Sequence, residues 1–106
     1  MEIRRYLTIN GIEPFQKWFD SLRDLRARAK IASRLARFEA GAFGDCRPVG
    51  SGVWEIRVHY GPGYRVYYAQ SRKTAVLLLI GGDKSSQQDD IETAIEYWSD
   101  FQRRQS

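Results

Sequence analysis

Between Trp54 and Tyr68 the chain reads WEIRVHYGPGYRVYY. Its chemically capable residues fall on alternate positions: Glu55, Arg57 and His59 before the Gly61-Pro62-Gly63 turn, Arg65 and Tyr67 after it. Alternate residues of a β-strand share a face, so a hairpin built from this stretch displays all five together. Guanidinium forks match phosphate oxygens, an imidazole titrates near neutrality, and a tyrosine ring offers a base a stacking surface. With Tyr60 placed opposite Tyr64, His59 lies opposite Arg65 and Arg57 opposite Tyr67. The other face, from Trp54, Ile56 and Val58 to Val66 and Tyr68, is apolar and packs on helices. A plainer reading of the polar face is an ordinary solvated sheet surface in which Glu55 pairs with the arginines. Farther on, GGDKSSQ carries Lys84 out of a strand end to the edge of the arginine patch, its two glycines supplying a sharp turn. A further set of cations, Arg23, Arg26, Arg28, Lys30, Arg34 and Arg37, lies on one basic helix. That run is either a solvated face or, through Arg26, Lys30 and Arg37, a grip on RNA or an acidic partner.

The elements that position these residues follow from apolar periodicity. EIRRYLTI, residues 2–9, alternates as a first strand, and NGIEPFQKWFDSL opens a helix with Pro14 in its first turn and Phe15, Trp18, Phe19 and Leu22 inward. LRDLRARAKIASRLARFEAG is a second helix, meeting the first near Asp24, with Leu25, Ala29, Ala32, Leu35, Ala36 and Phe38 as its buried stripe. TAVLLLIGG is apolar on both faces and therefore a central strand. The final helix starts in SSQQDD, where Ser86 and Asp89 resemble a capping box, and turns Ile91, Ala94, Ile95, Trp98 and Phe101 inward. A short extra strand is possible over 46–49. These elements predict an α+β domain over residues 1–106, with a mostly antiparallel sheet of about four strands.

Composition narrows the classes of function. Seventeen Lys and Arg against 13 acids in 106 residues leave a formal charge of +4, which suits a polyanion or an acidic partner. Cys46 is the only cysteine, so no intrachain disulfide forms and a cytoplasmic location is expected. One histidine and one cysteine are too few for a usual structural zinc site. The longest apolar run is AVLLLI, far short of the ~20 residues of a membrane span, and MEIRRYLTING has no apolar leader segment.

WEIRVHYGPGYRVYY followed by VLLLIGGDKSSQQDDIETAIEYW resembles the RelE/ParE superfamily of bacterial toxins, nearest its HigB-like branch of addiction-module killer proteins. The resemblance covers nearly the whole chain, FQKWFDSL included. It implies a RelE-like fold and a toxin of a type II toxin–antitoxin module, neutralised by an antitoxin that often carries a helix-turn-helix DNA-binding domain. Many RelE-like and HigB-like members cut mRNA in the ribosomal A site without metal or cofactor, whereas ParE-like members poison DNA gyrase. The family's strand arginines map onto Arg57 and Arg65, and its basic residue after the last strand onto Lys84. Some members draw a proton-transfer His or Tyr from the C-terminal region; this chain has no His there, and Tyr97 reads as helix packing.

A metal-free cut proceeds by attack of an RNA 2′-hydroxyl on the adjacent phosphate and needs proton acceptors, proton donors and cations. Arg57 and Arg65 then clamp the phosphate and stabilise its charge, with Lys84 assisting. His59 is the titratable candidate, and Glu55 or Tyr67 orients it or the base. Three functions stay open: a ribosome-dependent endoribonuclease, a non-catalytic gyrase poison, and an inactive RNA- or antitoxin-binding module.

Overall fold

Each helix begins where a residue satisfies, or dispenses with, the first free amides. The computed structural model describes residues 1–105. Pro14 opens α1 (Pro14–Ser21), where its missing N–H costs nothing. Asp24 caps α2 (Leu25–Glu39), its carboxylate accepting from the amides of Arg26 at 2.9 Å and Ala27 at 3.3 Å. At the third helix the cap is Asp83 rather than Ser86. Its carboxylate accepts from the Ser85 amide at 2.8 Å across a 3₁₀ turn, Lys84–Ser86, that runs into α3 (Gln87–Gln105). The Ser86 hydroxyl donates to Asp90, so the expected pairing of Ser86 with Asp89 is displaced by one residue.

Five strands form one mixed sheet: β1 (Glu2–Arg5), β2 (Cys46–Gly50), β3 (Val53–Val58), β4 (Tyr64–Arg72) and β5 (Ala75–Asp83), in the order β1-β5-β4-β3-β2. Only β1, which runs parallel to β5, departs from antiparallel pairing. The α+β class is as expected, and the extra strand near residue 46 makes the sheet five strands rather than about four. β1 stops at Arg5, short of residue 9, because the chain turns: the Thr8 hydroxyl accepts from the Ile12 amide at 3.1 Å.

Helices cover both faces, so the sheet has two cores. Phe15 of α1 with Ala27, Ile31 and Phe38 of α2 packs on Ile56, Val66 and Leu78. On the opposite face Ala94 of α3, with Ile91, Ile95 and Trp98, packs on Val53, Tyr67, Leu77 and Leu79. β5 contributes to both, which is why AVLLLI has no polar position.

Two local expectations are corrected. The buried stripe of α2 is Ala27, Ile31, Arg34 and Phe38, while Leu25, Ala29, Ala32 and Ala36 face outward. An arginine in the middle of the inward face broke the apolar spacing and pushed the reading onto neighbouring alanines. Gly81 and Gly82 make no turn; they lie inside β5. Their missing side chains admit the Trp18 ring over Gly81 and the Asp90 carboxylate over Gly82, both closer than any Cβ would allow.

The hairpin register is the third correction. Arg57 lies directly opposite Arg65, Glu55 opposite Tyr67 and Val58 opposite Tyr64. The connection is residues 59–63, not three residues, with Gly63 N–H donating to Tyr60 O at 3.0 Å. Relative to the expected pairing this is a slip of two, which keeps every side chain on its face but moves His59 off the strand into the turn.

Candidate active site

Arg57 and Arg65 project from adjacent strands on the same face, and Glu55 lies between and beneath them. Its carboxylate, fully buried, is 3.1 Å from Arg57 Nε and 3.5 Å from Arg65 Nε, and it accepts from Gln87 Nε2 at 3.3 Å. The Arg65 contact has ion-pair distance without hydrogen-bond geometry, and Arg65 Nε is otherwise unsatisfied. Arg65 Nη1 donates to Gly63 O at 3.2 Å. A carboxylate is tolerated in such a place only when paired, and here two cations share one anion. Arg57 also lies 3.9 Å from a second carboxylate, that of Asp45, so the two arginines face two anions. Arg57 retains 24% of its side-chain exposure and Arg65 11%, so Arg57 is the more accessible of the two. The pairing expected for a plain solvated face thus exists, but inside the protein. Glu55 contacts the arginines, not solvent, and is no direct RNA contact.

Tyr67 is also corrected. It is fully buried under α3, so its ring is unavailable to a base. Burial, reinforced by Glu55, pushes its hydroxyl well above the usual tyrosine range, and the oxygen has no hydrogen-bond partner among the described residues. Removing an unsatisfied buried hydroxyl relieves rather than creates a desolvation penalty. Tyr67→Phe is therefore expected to change unfolding free energy by less than about 1 kcal/mol in urea titration. A loss of several kcal/mol would reveal a partner for the hydroxyl.

The other wall of the site is α2. A groove of about 270 Å³ is lined by Lys30, Arg34 and Arg37 from the helix and by Asp45, Arg57 and His59 facing them. Lys30 and Arg37 are thus brought beside the strand residues; Arg26 sits a turn farther along α2 and does not line this groove. His59 Nε2 meets Asp45 Oδ2 at 2.8 Å, and the same oxygen is 3.9 Å from Arg57 Nη1. The His59 hydrogen bond, helped by the Arg57 charge, holds the Asp45 carboxyl below the usual range. Lys84 is exposed on the 3₁₀ turn, just past Asp83 and Gly82, which lie opposite Tyr64 and Arg65. It stands at the same end of the sheet as the hairpin, with no hydrogen bond or ion pair among the described residues.

Sequence reasoning took Arg34 only as one cation of the basic helix and missed Asp45 and Gln87, and all three shape the site. Arg34 is buried and donates to three backbone carbonyls, Arg57 O at 3.1 Å, Phe43 O at 2.5 Å and Asp45 O at 3.4 Å, and to Cys46 Sγ at 3.8 Å. It ties α2 to the loop before β2 and to the end of β3. Gly44 answers it, with a φ of 63° and no Cβ to meet the guanidinium. The signal was present, since Arg34 stands at helical spacing between Ile31 and Phe38. Asp45 and Gln87 carry no such mark. Arg34→Met fills similar volume but abandons these carbonyls, and should cost about 2–3 kcal/mol in chemical denaturation. Unchanged stability would mean that water serves the carbonyls equally well.

No helix among the described residues is long and apolar enough to cross a membrane. A family model described as "Phage derived protein Gp49-like (DUF891)" matches residues 17–98, a span that includes every candidate site residue from Arg26 to Lys84. A Haemophilus influenzae (strain ATCC 51907 / DSM 11121 / KW20 / Rd) relative, described as "Uncharacterized protein", is 46% identical over 80 residues, covering 76% of this chain and 81% of that protein. The chain belongs to the Gp49-like family of phage-derived proteins, a RelE-like family associated with toxin–antitoxin modules.

Proposed function

We propose that this chain is, as one domain over residues 1–106, the toxin of a type II toxin–antitoxin module of the HigB-like branch. It acts in the cytoplasm as a metal-independent endoribonuclease on ribosome-bound mRNA and is restrained by a helix-turn-helix antitoxin. One observation carries the reading: Arg57 and Arg65 lie directly opposite each other on one face with a single carboxylate between them. A phosphate approaching this pair meets preorganised guanidinium donors in a partly dehydrated setting, where charge stabilisation is strongest. Lys30 and Arg37 across the groove extend the cationic track for flanking phosphates, and Lys84 adds an exposed cation at the sheet end. Arg57 faces the scissile phosphate, while Arg65 supports it from a more buried position.

A gyrase poison that only binds is the second reading. What favours it is the depth of Arg65, whose guanidinium is largely occupied by Glu55 and Gly63. Mapping transcript 5′ ends after brief induction separates the two. Codon-phased new ends support the nuclease; gyrase-linked DNA breaks with intact transcripts overturn it.

A further inference from the structure

Resting on the nuclease reading, we infer that His59 and Asp45 form a catalytic dyad, in which His59 Nδ1 takes the 2′-hydroxyl proton and Asp45 positions the imidazole. A carboxylate only accepts, so the 2.8 Å contact places the ring hydrogen on Nε2 and leaves the lone pair on Nδ1. The Asp45 oxygen that holds the ring also faces Arg57 at 3.9 Å, tying proton acceptor and phosphate-binding cation to one point. Both line the groove, and the His59 side chain is 73% exposed, open to a strand of RNA.

Asp45 is well placed to be a positioning residue. Its side chain is on the surface, but its backbone is fastened from two sides: Asp45 O accepts from Arg57 N at 3.0 Å and from Arg34 Nη2 at 3.4 Å. Such support from a rigid second layer is what holds a reacting ring in place. The groups facing His59 are otherwise cationic or neutral: Arg57 on β3, Lys30, Arg34 and Arg37 on α2, and Tyr60 on the turn, while Arg47 acts on Asp45 from β2. Asp45 is thus the one anion in the groove that offsets a proton arriving on the ring. Its carboxyl, held low by the bond to His59, is ionised at neutral pH.

In the reaction the 2′ oxygen forms its bond to phosphorus as the bond from phosphorus to the 5′ oxygen breaks. The 2′ proton passes to His59 Nδ1. The leaving 5′ oxygen takes a proton from water, and the imidazolium returns its proton to the hydroxide so formed. The products are a 2′,3′-cyclic phosphate and a 5′-hydroxyl end, with no net proton change.

The test is cleavage of ribosome-bound mRNA by the full chain. His59→Ala should lose about 100-fold or more in kcat, and imidazole added to the buffer should recover about tenfold of that. His59 is the only histidine, so added imidazole has no other vacancy to fill. Asp45→Asn should lower kcat about tenfold with little change in KM, as expected of a group acting on the ring rather than on RNA. Carboxyl NMR gives a readout free of activity: the Asp45 titration should move up toward the ordinary range in His59→Ala. A fully active His59→Ala, no recovery with imidazole, an effect of Asp45→Asn on KM alone, or an unmoved Asp45 titration overturns the dyad alone. Wild-type protein that leaves mRNA uncut overturns the proposed function and the dyad together.

Discussion

Arg57→Ala is expected to slow cleavage of ribosome-bound mRNA by a factor of about 10²–10³ and to abolish growth arrest. The guanidinium is the more exposed of the pair, with 24% of its side chain open, so it can reach a phosphate without leaving Glu55. Loss of one preorganised donor at a developing anion accounts for the magnitude. Arg65→Ala should act in the same direction by a different route. Arg65 is nearly buried, and its removal leaves Arg57 as the one arginine between the Glu55 and Asp45 carboxylates, which then oppose an incoming phosphate. Single-turnover cleavage with each variant, alongside antitoxin binding as a folding control, checks both. If each single variant still arrests growth, the arginine pair is not the site.

The second large effect is on stability. Glu55→Gln should cost about 3–5 kcal/mol, because it strips the counter-ion from Arg65, which has almost no access to water. Arg57 contributes less to that penalty, being able to turn toward solvent. The neutral amide still occupies the space and can still meet Gln87, so the loss isolates charge from packing. A double replacement, Glu55→Leu with Arg65→Leu, removes anion and buried cation together and should recover most of the stability while remaining inactive. Urea unfolding of the three proteins decides it; a Glu55→Gln protein as stable as the wild type would show that water reaches the guanidinium of Arg65.

How far the fold could be read beforehand depends on which regularity each residue obeys. Period-two alternation placed Glu55, Arg57, Arg65 and Tyr67 on one face, and that survives because any even slip of the hairpin preserves it. The same parity concealed the register. Only the five-residue turn, with its Tyr60–Gly63 hydrogen bond, distinguishes Arg57 opposite Arg65 from Arg57 opposite Tyr67. Which polar residues stay polar in their surroundings was not legible either, since α3 crosses that face and buries Tyr67 from a position far along the chain. Glycine misled for a related reason. At Gly81 and Gly82 it marks the close approach of Trp18 and Asp90, and a pair of glycines at a strand end looks the same when it makes a bend. Arg34 shows the limit most clearly, because three carbonyls from distant segments make its burial possible and none is visible in its neighbours.

The pairing of β1 with β5 sets an order of events during synthesis. Ile3 leaves the ribosome early, yet its neighbour Val76 belongs to the last strand made, and Gln87, which steadies Glu55, comes later still. Contacts this far apart in the chain close slowly and only after both ends are available. A partly translated chain therefore has its hairpin but neither its edge strand nor its covering helix, and the arginines are unsupported. The paired arginines thus reach their finished setting only when the last helix has been made and docked.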